Sequence, residues 1–200
     1  MNSPATMRPA AESVIAVVGA GNWGTTLAVL EARAGRRVLL CARTKESAER
    51  LRAAGENHAW LPGVPFPAGM QVGDDYTAAA AAPLIILAVP SEHLREACLT
   101  LRPVLGRQSL LVSATKGLEV GSGLRMSEVI EDALSGVPVR LCVLSGPNLA
   151  GEIAAGLPAA AVLAGSDPPA TASAAETLST RLFRLYASDD VAGVELGGAL

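Results

Sequence analysis

Three glycines, Gly19, Gly21 and Gly24, stand in GxGxxG spacing behind an apolar run, Val14 to Val18, and ahead of a stretch that is helical in composition. A strand, a tight turn and a helix in that order can grip a diphosphate. Gly19 permits the sharp turn, Gly21 lets the backbone approach the pyrophosphate, and Gly24 lets the helix lie close on the strand. The free N–H groups and the positive dipole end of the helix then face the phosphates. Such spacing also occurs in turns that bind nothing. Its setting here, between a buried strand and a helix with a second strand following, makes it a dinucleotide fingerprint.

Three further places carry usable chemistry. Arg43 follows the second apolar run, VLLC at Val38 to Cys41, twenty-two residues after Gly21. At that point a carboxylate would hold ribose hydroxyls and a cation would accept a 2′-phosphate, so Arg43 favours NADP(H), with NAD(H) left open by a merely solvated arginine. Lys45 and Lys116 are the only lysines among 16 basic residues. Lys116, between Thr115 and Gly117 at a predicted strand exit, suits a phosphate, a carbonyl oxygen or a nicotinamide amide, although a solvated lysine fits the same spacing. Ser145, Gly146, Pro147 and Asn148 turn into a helix near Leu149, where backbone N–H groups and the Asn148 amide could hold an anion or simply cap the helix. His58 and His93 have no metal-ligand spacing to other residues and no nucleophile elbow accompanies them. Asp74 with Asp75 and Asp189 with Asp190 read as turn and cap residues.

The elements that must position these groups alternate along the chain. A helix is expected over Thr25 to Arg33 with Gly35 closing it, and another over Lys45 to Ala54. The prolines of WLPGVPFP argue against regular structure between Gly55 and Gly69, with Trp60 and Phe66 either plugging that loop onto the domain or walling a cofactor. A short strand at Met70 to Val72 and a helix at Asp75 to Ala82 lead to LIILAV, Leu84 to Val89, which has the unbroken apolarity of a central parallel strand. Ser91 is expected to cap a helix over Glu92 to Leu101. Strands at Leu110 to Ser113 and Val139 to Leu144 flank a helix at Leu124 to Leu134. Strands at Ala159 to Ala164 and Arg184 to Tyr186 flank a helix at Ala170 to Leu182. The alternation gives an α/β fold with a doubly wound, mostly parallel sheet, and ligands in such sheets bind beyond the carboxyl ends of the strands.

Composition agrees with that architecture. Half of the 200 residues are hydrophobic and only 3% aromatic, so the core must be Ala, Val and Leu. A net charge of −3 with scattered basic residues gives no footprint for nucleic acid or an anionic membrane. Cys41, Cys98 and Cys142 form no CxxC pair, which points to a reducing cytoplasm. Residues 1–12 carry no secretory signal and read as a disordered tail, and the longest apolar stretch, Ala78 to Pro90, is too short for a membrane span. The sequence leaves the oligomeric state open, a homo-oligomer included.

Taken together, VGAGNWGTTLA at 18 to 28, LPGVPFP at 61 to 67, AVPS at 88 to 91, SATKGLE at 113 to 119, SGPNLAGEIAAGLPAA at 145 to 160 and VELGGAL at 194 to 200 resemble bacterial NAD(P)-dependent glycerol-3-phosphate dehydrogenase. The resemblance covers nearly everything after the tail. It implies a Rossmann-type cofactor domain over residues 13–190 and reversible reduction of dihydroxyacetone phosphate to sn-glycerol 3-phosphate, the backbone for phospholipid synthesis. It also implies that Asn22, Trp23, Arg43, Trp60 and Ala150 contact the cofactor, that Lys116 faces both cofactor and substrate, and that Gly146 and Asn148 lie at the substrate. Asn148 and Leu149 depart from the Ser or Thr and the Phe usual in the family. The family sets its catalytic lysine one residue beyond the position of Leu200, ahead of a helical substrate domain that Val191 to Leu200 would begin. On that reading these 200 residues bind cofactor but contain no catalytic acid. A stand-alone dinucleotide sensor acting through a partner and a ketopantoate reductase are the competing readings, the second disfavoured by the ATKG and SGP motifs.

Overall fold

The computed structural model describes residues 14–106 and 109–199, so the expected tail at 1–12 lies outside the described residues. In chain order the elements are β1 (Val14–Val18), α1 (Asn22–Arg33), β2 (Arg37–Cys41), α2 (Lys45–Ala54), β3 (Glu56–Asn57), β4 (Leu61–Pro65), β5 (Met70–Gly73), α3 (Tyr76–Ala80) and β6 (Leu84–Leu87). There follow α4 (Ser91–Leu101), β7 (Leu110–Ser113), α5 (Met126–Ala133), β8 (Arg140–Ser145), α6 (Ala150–Ala154), β9 (Ala159–Gly165), α7 (Pro168–Leu178), β10 (Phe183–Ser188) and α8 (Val191–Ala199). Eight strands form one sheet in the order β10-β9-β8-β7-β6-β1-β2-β5. The expected doubly wound, Rossmann-type sheet is therefore present.

The central strands are apolar throughout because they are covered on both faces. LIIL of β6 and LLVS of β7 have no exposed residue. In β1 the side chains alternate between two cores. Ile15 and Val17 pack with α1 and α7, while Ala16 and Val18 pack with α3, α4 and α5. A buried Leu or Ile contributes about 1.5–3 kcal/mol, and many such residues suffice without a large aromatic complement; Phe183 is the aromatic among the largest fully buried side chains.

One pairing departs from the rest: β8 and β9 are antiparallel, whereas β10 returns parallel to β9. The five residues of α6 rise only about 7.5 Å, and a six-residue strand such as β8 is about 20 Å long. The chain is not carried back across the sheet, so β9 starts near the end at which β8 finished.

Two expectations from the sequence are corrected. The proline-rich stretch from Gly55 to Gly69 contains a two-stranded antiparallel ribbon, β3 with β4. Pro62 and Pro65 are tolerated because this ribbon stands apart from the main sheet, its register is irregular, and an edge strand leaves N–H positions free of ladder bonds. Ser91 is not a cap but the first residue of α4, whose N-cap is Pro90 without a side-chain hydrogen bond. Asp75 and Asp190 do cap, accepting from Thr77 N at 2.7 Å and Gly193 N at 2.8 Å.

An ion pair joins α1 to the far side of this layer. Glu31 on α1 is 3% exposed and paired with Arg36, whose guanidinium also donates to the Thr177 carbonyl on α7. Burial outweighs the arginine and pushes the Glu31 carboxyl up to about 7. Above about pH 4.5 the unfolded chain loses a proton that the folded chain retains until about pH 7, so stability falls as pH rises through that window. The urea unfolding midpoint of wild type should fall relative to that of Glu31→Gln between about pH 4.5 and 7, with the offset constant from there to pH 8. A difference independent of pH would contradict the assignment.

Candidate functional site

At β1 and β6 the chain order reverses: β1 leads to β2 on one side while β6 continues to β7 and β8 on the other. The exit loops of these neighbouring strands separate there, the usual position of a ligand crevice in an open α/β sheet. A cleft of about 700 Å³ opens at this point, lined among others by Gly19, Gly21, Arg43, Trp60, Asp75 and His93.

The three glycines have separate geometric duties. Gly19 takes φ +112°, and a Cβ there would strike the Ala88 carbonyl of the neighbouring exit loop. A Cβ on Gly24 would run into the carbonyl oxygen of Gly19. Gly21, by contrast, faces open space, with no atom within 4 Å of an added Cβ. It is the N-cap of α1 and supplies no side-chain cap, so the first-turn N–H groups remain available to an anion.

The glycine loop is braced by a residue that the sequence reading missed. Asn57, 2% exposed in β3, donates to the Ala20 carbonyl at 3.0 Å and to Thr25 Oγ1 at 2.8 Å. Its Oδ1 accepts from Trp60 N at 3.3 Å. No motif marks Asn57; the signal was a polar residue in an otherwise proline-rich connection. Trp60 is 62% exposed and does not plug the ribbon, whereas Phe66 packs on the small cluster of Ala42, Ala48, Leu51 and Val72. Trp60 instead walls both the large cleft and a second one of about 580 Å³ that Asn22 and Gly151 also line.

Arg43, just past β2, reaches into the large cleft with Nη1 3.0 Å from Nε2 of His93 on α4. At the other end of the carboxyl edge, Lys116 Nζ donates to the Gly146 carbonyl at 2.9 Å, bringing two predicted site residues together. The loop carrying Lys116 is held from both sides. Thr115 Oγ1 donates to the Val89 carbonyl at 2.9 Å, and Arg95 on α4 grips Glu119 with two bonds of 2.8 and 3.0 Å. That grip, with the Ser122 hydroxyl, holds the Glu119 carboxyl down to about 2.

Among the described residues, the buried side-chain polar atoms without a partner belong to Trp23, Ser113 and Asn148. All three stand at the carboxyl edge: Trp23 in the first turn of α1, Ser113 at the end of β7, Asn148 after β8. Both polar atoms of the Asn148 amide are unpaired, next to Gly146, where a Cβ would come within 3.0 Å of Nδ2. The Trp23 ring itself turns into the core, edge-on to Phe183 with centroids 6.2 Å apart. Ala150 meets α1 through its carbonyl, which accepts from Thr26 Oγ1 at 3.4 Å.

The α8 segment approaches the same edge. Glu195 accepts from Ser127 N at 2.7 Å, from Ser127 Oγ at 2.6 Å and from Arg125 at 2.8 Å. Gly198 lies so close to the Ser145 hydroxyl, at the end of β8, that a Cβ would collide with it. No residue of α8 is buried, although its composition, VAGVELGGA, is almost wholly apolar.

Comparison with known proteins bears on this geometry. The family model for the N-terminus of NAD-dependent glycerol-3-phosphate dehydrogenase matches residues 14–171. A glycerol-3-phosphate dehydrogenase [NAD(P)+] of Corynebacterium glutamicum is 43% identical over 186 residues, covering 92% of this chain and 56% of that protein. One from Prosthecochloris aestuarii is 43% identical over 189 residues, covering 94% and 57%. The crystal structure of glycerol-3-phosphate dehydrogenase from Coxiella burnetii superposes with a TM-score of 0.88 at 35% identity, covering 94% of this chain and 57% of that one. The chain thus spans rather more than half the length of the curated relatives it matches.

The different surroundings of Gly21 and Gly24 separate binding from folding. Gly21→Val should unfold at close to the wild-type temperature yet lose dinucleotide binding in calorimetry, because its side chain fills the space over the helix N-terminus. Gly24→Val should cost about 3 kcal/mol or more in denaturant unfolding, since backbone has no rotamer by which to yield. Equal destabilisation of the two would refute this division.

Proposed function

Because the chain belongs to the NAD-dependent glycerol-3-phosphate dehydrogenase family and forms its N-terminal NAD(P)-binding domain, we propose that it serves an oxidoreductase interconverting dihydroxyacetone phosphate and sn-glycerol 3-phosphate. The observation that carries this reading is the set of unsatisfied buried polar atoms of Ser113 and Asn148 at the carboxyl edge, where Lys116 donates to the Gly146 carbonyl. Buried polar groups are nearly always paired, so such a set at a strand exit accords with a bound ligand.

The residues present fit a nicotinamide dinucleotide. Gly21 leaves room over the N-terminus of α1 for the diphosphate, Asn22 and Trp23 bring first-turn N–H groups, and Trp60 and Arg43 wall the cleft. When bound, that cofactor supplies or accepts the hydride. Lys116 then offers an ammonium to the carbonyl oxygen or phosphate of the substrate, and Gly146 and Asn148 offer backbone and amide groups beside it. Ala150, whose carbonyl meets α1, begins the helix from which Gly151 lines the second cleft with Asn22 and Trp60. The family's catalytic lysine would follow the GGA segment of α8, and the approach of Gly198 to Ser145 would bring it to this edge. NADP(H) is the preferred cofactor in this proposal because Arg43 lines the cleft. Among the described residues no helix is long and apolar enough to cross a membrane, and the buried free cysteines accord with a reducing cytoplasm.

Two measurements test the proposal. Arg43→Ala should weaken NADPH about tenfold to a hundredfold, the value of a charge-assisted contact of roughly 1.5 to 3 kcal/mol, and spare NADH. Equal loss of both would remove Arg43 from 2′-phosphate recognition. In steady-state assays with dihydroxyacetone phosphate, a polypeptide of these 200 residues should bind NADPH and oxidise it at a negligible rate. A robust rate would place the proton donor within these residues instead.

A further inference from the structure

We propose that His93 is a positioning residue for Arg43, and that through it α4 sets the preference between the 2′-phosphorylated and 2′-hydroxyl forms of the dinucleotide. The inference rests on the reading of Arg43 given above and adds to it a second residue, far away in sequence.

The chemistry of the pair determines which partner gives the proton. A guanidinium only donates, so the 3.0 Å approach of Arg43 Nη1 to His93 Nε2 requires Nε2 to accept through its lone pair. The ring proton then sits on Nδ1, which faces Glu96 Oε2 at 4.0 Å, one turn along α4. At that distance the exposed Glu96 carboxylate makes no hydrogen bond to the ring, so the approach of Arg43 is what selects the tautomer. The other charged or titratable groups lining the cleft with the ring are Asp74, Asp75 and Tyr76, which precede and begin α3.

An exposed arginine spreads over many rotamers, and a neighbouring carboxylate readily captures it. Asp74 and Asp75 line the same cleft, yet among the described residues Arg43 forms no ion pair with either. Its bond goes to an imidazole. A neutral acceptor holds the guanidinium over the cleft without cancelling its charge, and one N–H used on His93 leaves other donors of the fork for a phosphate. A carboxylate in that place would compete with the ligand.

Calorimetric titration of the chain with NADPH and with NADH tests this in wild type, Arg43→Ala, His93→Ala, His93→Gln and the Arg43→Ala/His93→Ala double variant, with unfolding temperatures as a check on folding. His93→Ala should weaken NADPH about threefold to tenfold, the range of one net hydrogen bond, while NADH stays within about twofold. On an Arg43→Ala background the same change should have no further effect on NADPH. His93→Gln, whose amide oxygen can accept, should restore the wild-type ratio. If Arg43→Ala is selective but His93→Ala leaves the ratio unchanged or weakens both nucleotides equally, the inference is wrong while the reading of Arg43 survives. If His93→Gln behaves as His93→Ala, a neutral acceptor is not what the site uses and the inference also fails. Equal loss of both nucleotides in Arg43→Ala would remove both ideas together.

Discussion

At the end of β1, backbone has to touch backbone. Gly19 turns against the Ala88 carbonyl of the next strand's exit loop, and Gly24 rests on the carbonyl of Gly19 itself. Neither contact leaves room for a methyl group, so strand, turn and helix sit closer than any side chain would allow. That closeness brings the N-terminus of α1 directly over the sheet edge, and the cleft exists because the two central exit loops part at that level. The helix layers, the braces and the walls of the crevice are arranged around this contact.

What surrounds the contact is a set of cross-links between exit loops. Asn57 ties the proline-rich ribbon to the glycine loop, Thr115 ties the β7 exit to the β6 exit, and Arg95 clamps the Lys116 loop through Glu119. Each bond is worth only about 1 kcal/mol net, but together they restrict loops that would otherwise move. The proposed binding of a dinucleotide, which calls for first-turn N–H groups and an ammonium at set positions, depends on that restriction. Of the side chains still lacking partners, Ser113 and Asn148 lie at this braced edge, while the ring of Trp23 turns from it into the core.

Much of this was legible in the sequence. The continuous apolarity of β6 and β7, the glycine spacing after β1, and the alternation of elements led to the sheet that is observed. Lys116 and Gly146, each marked by its own motif, are joined by a 2.9 Å hydrogen bond. Less legible were features that depend on tertiary context. The ribbon at Glu56–Asn57 and Leu61–Pro65 was hidden because proline content speaks against a ladder, whereas a detached two-stranded ribbon tolerates it. Asn57 and His93 act through partners 32 to 37 and 50 residues away, distances over which no local pattern exists. Trp23 was assigned from its motif, and the motif does not say that its ring turns inward onto Phe183.

The reversal at β9 has a topological result. Had β9 run with its neighbours, β10 would have finished at the crevice and α8 would lead away from it. With the reversal, β10 ends at the opposite rim, and α8 climbs back until Gly198 meets Ser145. A single antiparallel pair thus converts a departing helix into an arriving one, held midway by the Glu195 carboxylate on the start of α5.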